Sequence, residues 1–413
     1  MAEPLEITDP SLVLLVGTSG SGKSTFAASR FAPTEVLGSD RFRAMITDDE
    51  GDQRVSGHAF ELLHAVAEKR LLHRRLAVVD ATNVEREARQ GLIRIAKAQH
   101  LPVDAIVLDL PLEACIARDA ARDERRVGEV VIRAQRAELD RSLSRLPSEG
   151  FRRVIRLEGA AAVDAATVLR RPLPCDRRDT RGPFDVIGDV HGCADELEEL
   201  LDRLGYVDGA HPDGRRLVFL GDLVDRGPRI ADVLRIAMRA AREQGALCVV
   251  GNHEAKAIRW LAGKNVRPSH GLAQTIEQLD TEPADFRVDV HAFLTSLPDH
   301  LVLEGGDLVV AHAGLLERLH GRSSKRVHAF CLYGDTTGEV DEMGLPIRRD
   351  WAVGYRGAAA VVYGHTPIEA PEWVNGTLCV DTGCVFGGAL SALRWPERQI
   401  VSVPAHRTWF RHA

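Results

Sequence analysis

An apolar run, Leu12–Val16, leads directly into Gly17-Thr18-Ser19-Gly20-Ser21-Gly22-Lys23-Ser24-Thr25, and a stretch of helical character follows. No other feature of the 413-residue chain constrains its fold as much. The spacing fits G-x-x-x-x-G-K-[ST], which works only between a strand and a helix. The glycines let the backbone curl so that its N–H groups face phosphate oxygens. Lys23 supplies charge to the β- and γ-phosphates, and Ser24 offers a hydroxyl to Mg²⁺. The helix N-terminus adds its dipole. Residues Gly17 to Thr25 are therefore expected to cradle ATP with Mg²⁺.

Around this loop, apolar runs alternate with helical patterns. Leu12–Val16, Val36–Gly38, Leu76–Val79, Val103–Leu108 and Val154–Leu157 read as buried strands, and Phe60–Arg75 and Glu85–His100 as helices. That alternation predicts a parallel doubly wound α/β sheet over residues 1–170. Residues 171–183, rich in Pro, Arg and Asp, read as a linker. Beyond them, Phe184–Ile187, Leu217–Leu220, Leu247–Val250, Leu308–Val310, Ala360–Val362 and Leu378–Val380 predict a second α/β domain over 184–413. Each of these runs ends in a polar or Gly-containing phrase, where such a fold places its chemistry.

In the first domain, Asp40 follows the second predicted strand, which in an open sheet ends beside the P-loop. Its carboxylate suits a proton acceptor for a hydroxyl receiving phosphate. A helix N-cap at Ser39 or Asp40 explains the residue equally well. Arg118 and Arg122 lie on one face if their segment is helical, and Arg125 and Arg126 follow. They would make a lid over the transferring phosphate. The alternative is a solvated face paired with Asp119, Asp123 and Glu124.

The second domain carries a series of phrases: Asp189-Val-His191, Gly221-Asp222-Leu-Val-Asp225-Arg226-Gly227, Gly251-Asn252-His253-Glu254, then His312, then Gly364-His365-Thr-Pro. Carboxylate, amide and imidazole donors in this mix suit a pair of Mn²⁺, Fe, Zn²⁺ or Ni²⁺ ions better than Mg²⁺ or Ca²⁺. Asp222 is the natural bridge. Two ions sharing it would acidify a water and clamp phosphoryl oxygens. His253 is placed to protonate a leaving group, with Asp225 holding its ring and Arg226 gripping a phosphate oxygen.

These phrases resemble the binuclear metallophosphoesterase superfamily across residues 184–413. GTSGSGKSTF, SDRFRAMITDDEGDQ and VVDATN resemble the P-loop polynucleotide kinases. Together, with DTGCVFGG at 381–388, they resemble the bacterial polynucleotide kinase–phosphatases. The resemblance implies a P-loop kinase domain joined to a calcineurin-like sandwich. It implies phosphorylation of 5′-hydroxyl RNA or DNA ends and removal of 3′-phosphate or 2′,3′-cyclic phosphate with Mn²⁺ or Ni²⁺. Asp40 would be the general base, Arg43 an acceptor-phosphate contact, and Arg118 and Arg122 the lid, with Arg125 or Arg126 as an alternative for either lid role. Asp189, His191, Asp222, Asn252, His312 and His365 fall on metal-ligand positions; Arg226, His253 and Asp381 fall on other active-site positions. The K-x-D-G lysine of a ligase module is missing, so sealing is expected of a separate RNA ligase.

A second reading shares most of these phrases. The phosphatase half also resembles protein serine/threonine phosphatases and dinucleoside tetraphosphate hydrolases, with the P-loop domain as an ATP-binding regulator. A third, an ATP-gated RNA adaptor, is disfavoured because both sites carry their reactive residues. The net charge of −7 gives no bulk nucleic-acid signal. Seven scattered cysteines and no basic, apolar leader predict a cytoplasmic protein without a disulfide framework or membrane partner. The oligomeric state is left open, a homodimer included.

Overall fold

The computed structural model describes residues 4–122, 126–340 and 346–411. The chain divides into two compact units, Met1–Leu173 with Arg322–Ser324, and Pro174–Gly321 with Lys325–Ala413.

In the first unit the strands are β1 (Leu5–Asp9), β2 (Leu12–Val16), β3 (Val36–Gly38), β4 (Ala77–Asp80), β5 (Val103–Asp109), β6 (Arg153–Glu158) and β7 (Val168–Pro172). The helices are α1 (Lys23–Arg30), α2 (Ser39–Thr47), α3 (Ser56–Leu72), α4 (Arg86–Ala98), α5 (Leu112–Ala120), α6 (Glu129–Leu143) and α7 (Gly159–Ala165). The main sheet runs β3-β4-β2-β5-β6, parallel throughout, which is the predicted doubly wound arrangement. β2 and β5 are buried along their whole length, as continuous apolar runs covered on both faces should be. A fully buried ion pair locks α4 to the turn after α6: Arg89 binds Glu149 at 2.8 and 2.6 Å and donates to the carbonyls of Asn83 and Val84.

The boundary between the two units falls within the stretch expected as a linker, which is also tied to strands on either side. Its first residues belong to β7, which pairs in parallel with β1. In the second unit, Arg177 N–H donates to the Val302 carbonyl and Val302 N–H to that of Cys175. Local composition marked the break; distant strands supply the hydrogen bonds.

The second unit is a sandwich. Its strands are β8 (Phe184–Ile187), β9 (Arg216–Phe219), β10 (Leu247–Cys248), β11 (His300–Leu303), β12 (Leu308–Ala311), β13 (Thr336–Val340), β14 (Pro346–Arg348), β15 (Ala360–Tyr363), β16 (Trp373–Val374), β17 (Thr377–Cys379), β18 (Ala389–Trp395) and β19 (Gln399–Pro404). One sheet runs β10-β9-β8-β18-β19 and the other β11-β12-β15-β17-β16; β13 and β14 pair antiparallel in a separate two-stranded sheet. Phe184, Val186, Val218, Val310, Val362 and Leu378 form the core between the sheets. The alternate residues face outward: Ile187 and Phe219 pack on α8 (Ala194–Leu204) and α9 (Ile230–Gln244). Three further helices, α10 (Asn252–Leu261), α11 (Leu272–Asp280) and α12 (Ala284–Ser296), follow β10.

Within each sheet the strands that precede the candidate site phrases are parallel: β8, β9 and β10 in one, β12, β15 and β17 in the other. Their C-terminal ends therefore share one edge, and every phrase singled out in this half follows such an end. Among the described residues no helix is long and apolar enough to cross a membrane.

Candidate metal centre and nucleotide loop

In the first unit the loop curls as its glycines require. Gly20 has φ +80°, and a Cβ there would lie 2.3 Å from the Cys115 carbonyl oxygen. Lys23 Nζ folds back onto the carbonyls of Gly17 and Thr18 at 2.9 and 2.8 Å. Burial lowers its pKa to about 8, against the pull of Asp80. Ser19 N–H donates to Gln135 Oε1 at 2.7 Å. Ser24 hydrogen-bonds Asp80 at the end of β4, a carboxylate whose pKa burial raises. Sequence reasoning gave Asp80 no role, although an apolar run ending in Asp was its signal.

Asp40 lies in the first turn of α2, within electrostatic reach of Lys23 and Asp80. The N-cap position is Gly38, so the N-cap alternative does not hold. Asp40 pairs with Arg43, whose buried guanidinium also donates to the Glu50 carbonyl at 2.7 Å. Arg43 is thus occupied within the protein rather than open to solvent. Arg118, on α5, approaches the loop: a Cβ on Gly22 would sit 3.4 Å from its Nη1. Arg122 does not share its helical face, because α5 ends at Ala120; it lies 3.7 Å from Asp119. Arg126 donates to the Arg122 carbonyl, and Arg125 lies outside the described residues.

In the second unit the predicted residues converge on Asp222. Its Oδ2 faces His191 Nε2 at 3.4 Å and His253 Nε2 at 3.8 Å. Its Oδ1 faces His312 Nε2 at 3.5 Å. The donors form two clusters that share this carboxylate: His191, Asp222 and His253 on one side, and Asp222, His312 and His365 on the other. Asn252 joins the second through Oδ1, 2.9 Å from His312 Nε2. Asp189 sits beside Asp381, with Oδ2 accepting from His365 N–H at 3.1 Å.

The clusters have the chemistry of cation sites. His312 Nδ1 lies 3.0 Å from the Leu220 carbonyl, which can only accept, so Nε2 carries a lone pair. That lone pair points at another acceptor, Asn252 Oδ1, and at His365 Nδ1, 3.0 Å away. His191 is fixed in the same way by the Val224 carbonyl at 2.7 Å. Asp189 Oδ1 and His365 Nε2 are buried without a hydrogen-bond partner. Burial pushes Asp222 up to about 8 and His312 down to about 4; Asp189 rises through burial and its neighbours Asp381 and Asp222. Converging acceptors in a desolvated pocket fit divalent ions.

The backbone is strained where it presents these groups. His191, Asp222, Asp225, Arg226 and His365 all have φ between +45° and +74°. Glu254, given no role by the sequence, restrains the Asp222 loop. Its Oε2 accepts from Asp222 N–H and Gly251 N–H at 2.7 and 2.9 Å, and its Oε1 from Leu223 N–H at 2.8 Å. Asp225 N–H donates to Thr275 Oγ1 at 3.0 Å, a partner on α11 that no local pattern announces. Arg226 reaches His191 Nε2 and His253 Nε2 at 2.6 and 3.0 Å, with its guanidinium over the Phe386 ring.

Residues 12–147 match a family described as an AAA domain, and residues 182–369 match the calcineurin-like phosphoesterases. Bis(5′-nucleosyl)-tetraphosphatase PrpE (asymmetrical) of Halalkalibacterium halodurans is 46% identical over 232 residues, which are 54% of this chain and 94% of that protein. The protein of the same name from Bacillus subtilis (strain 168) is 45% identical over 230 residues, with 54% and 94% covered. These relatives carry the tetraphosphatase name rather than a polynucleotide one, which favours the second reading of the sequence over the first. Through its second unit, which follows a P-loop, kinase-like unit, the chain belongs to the calcineurin-like phosphoesterase family.

Proposed function

We propose that the second unit hydrolyses dinucleoside polyphosphates asymmetrically, and that the first binds ATP with Mg²⁺ as a phosphotransferase or regulatory unit. The observation that carries this reading is Asp222, one carboxylate facing two clusters of nitrogen donors on opposite oxygens. The names of relatives at 45–46% identity supply the substrate class.

The candidate ligands are Asp189, His191, Asp222, Asn252, His312 and His365, and Mn²⁺ or Ni²⁺ suits their donor set. Such ions supply Lewis acidity to phosphoryl oxygens and lower the pKa of water. The chain's own groups do the rest. Arg226 binds a phosphoryl oxygen with its fork. His253, its ring fixed by Asp225, gives a proton to the departing phosphate oxygen. Glu254 holds the Asp222 loop in place, and Asp381 lies beside the candidate ligand Asp189. A cavity of about 280 Å³ opens beside His365, lined by Tyr333, Arg348, Arg349, Trp351 and Tyr363. Guanidinium groups among aromatic rings suit the phosphates and base of a nucleotide.

The test is to offer diadenosine tetraphosphate with Mn²⁺ and separate the products. Asymmetric attack by water yields AMP and ATP in equal amounts. Hydrolysis of an aryl phosphate with no cleavage of the tetraphosphate would reject the substrate class.

The first unit favours a second reading, polynucleotide end healing, because Asp40 stands close to Lys23 and the Ser24–Asp80 pair. In that reading Asp40 deprotonates a 5′-hydroxyl, the metal centre removes the 3′-phosphate, and a separate ligase seals the ends. Transfer of label from γ-labelled ATP to a 5′-hydroxyl oligonucleotide supports it. No transfer while ATP is bound leaves the first unit as a regulator.

A further inference from the structure

Two cysteines stand just past two of the active-site phrases. Cys193 follows His191-Gly192, and Cys384 follows Asp381-Thr-Gly383. Glu196, in the first turn of α8, completes a cluster with them. One donor atom from each residue lies within 4.8 Å of the others. The three residues are 0–1% exposed, and both cysteines belong to the apolar core beneath α8 and α9.

Glu196 is the informative member. Its Oε1 accepts from His406 N–H at 3.0 Å and from Trp409 Nε1–H at 2.7 Å. Its Oε2 is buried and has no hydrogen-bond partner. A carboxylate oxygen stripped of water is unfavourable unless a cation or a donor takes it up. The groups beside it are two thiols, which are soft metal ligands once deprotonated.

We propose that Cys193, Cys384 and Glu196 form a third metal site, separate from the pair at Asp222, that takes one zinc ion on two thiolates and a carboxylate. Zn–S and Zn–O bonds of about 2.3 and 2.0–2.2 Å place tetrahedral donors roughly 3.3–3.8 Å apart, so the cluster closes with a small movement. The His191 carbonyl oxygen accepts from the Cys193 thiol at 3.9 Å, a contact that loss of the thiol proton would release. Binding releases the two thiol protons to solvent. The ion ties the loop carrying His191 to the loop carrying Asp381. Through Glu196 Oε1 it also anchors the chain at His406 and Trp409. A disulfide between the same cysteines would leave Glu196 Oε2 without a partner, which favours the metal.

The test uses the full chain, stripped of metal under reducing conditions and titrated with Co²⁺. The Asp222 centre has no sulfur ligand, so a sulfur-to-cobalt charge-transfer band reports the new site alone. The expected result is such a band in the wild type and in Asp222→Asn, lost in Cys193→Ser and Cys384→Ser. Where those variants do not fold, alkylation mapped by mass spectrometry on the wild type should show zinc shielding Cys193 and Cys384. No band with all seven thiols titrating after denaturation would overturn the site. Five titrating thiols in unreduced protein would overturn it in favour of a disulfide.

Discussion

His253 Nδ1 lies 2.5 Å from Asp225 Oδ2, and both side chains are buried. Thr275 holds the Asp225 backbone and carboxylate, so the imidazole has little freedom. Its Nε2 is left facing Arg226 and Asp222. The pairing fixes Nδ1 on Asp225 and presents Nε2 to the site, the orientation that the proton-transfer role proposed for His253 requires. His253→Ala should lower kcat about 10²-fold or more on a substrate with a poor leaving group, the usual size of general-acid catalysis. The loss should shrink on p-nitrophenyl phosphate, whose leaving group needs no proton. Asp225→Asn should cost about 10–100-fold by releasing the ring. Equal losses on both substrates would remove His253 from this role.

Lys23 is pinned by loop carbonyls and has only to swing outward to meet a phosphate. Lys23→Ala deletes a charge-assisted contact of about 1.5–3 kcal/mol, so ATP affinity should fall roughly 10–100-fold. Titration calorimetry measures this directly. Hydrolysis at the metal centre, assayed without ATP, should be unchanged. A parallel loss there would contradict independent sites.

Arg89 and Glu149 form a bidentate pair with no solvent exposure at Arg89. Arg89→Ala strands a carboxylate in the core and should destabilise the first unit by about 3–5 kcal/mol in urea unfolding. Arg89→Met with Glu149→Leu should recover most of that loss. Failure of the double variant to recover stability would mean that the hydrogen bonds to Asn83, Val84 and Ser142 matter more than the charges.

Much of this molecule was legible locally. Gly17–Ser24 needs only its flanking strand and helix, and each ligand phrase follows an apolar run directly. The rest depends on distant chain. β18, whose antiparallel pairing with β8 completes the sheet, has no motif to mark it. Thr275 serves Asp225 from fifty residues away, and Arg89 lies inside a helix whose pattern looks merely amphipathic. Whether Arg118 and Arg122 share a helical face depends on where α5 stops, and it stops between them at Ala120. The two units meet inside residues 171–183, but the hydrogen bonds that β1 and β11 make to this stretch are not marked by its own composition.

His300 gives the second unit a pH dependence. It is buried on β11 and accepts from Gly321 N–H at 3.0 Å. Burial, with His320 adding to it and Asp299 opposing, lowers its pKa to about 3. The unfolded chain protonates near 6.5, so between those values it binds the extra proton. The stability His300 contributes is therefore complete above about pH 6.5 and is lost as pH falls toward 3, at about 1.4 kcal/mol per unit. Urea midpoints of the wild type should fall over this window. His300→Asn should flatten the slope; an unchanged slope would place the dependence elsewhere.

The most direct measurement is an anomalous-scattering crystal structure of the Mn²⁺-loaded protein. Two peaks flanking Asp222, about 3.5–4 Å apart, are predicted: one at His191, the other at His312 and His365. A single peak, or density away from the Asp222 carboxylate, would contradict the shared bridge on which the account rests.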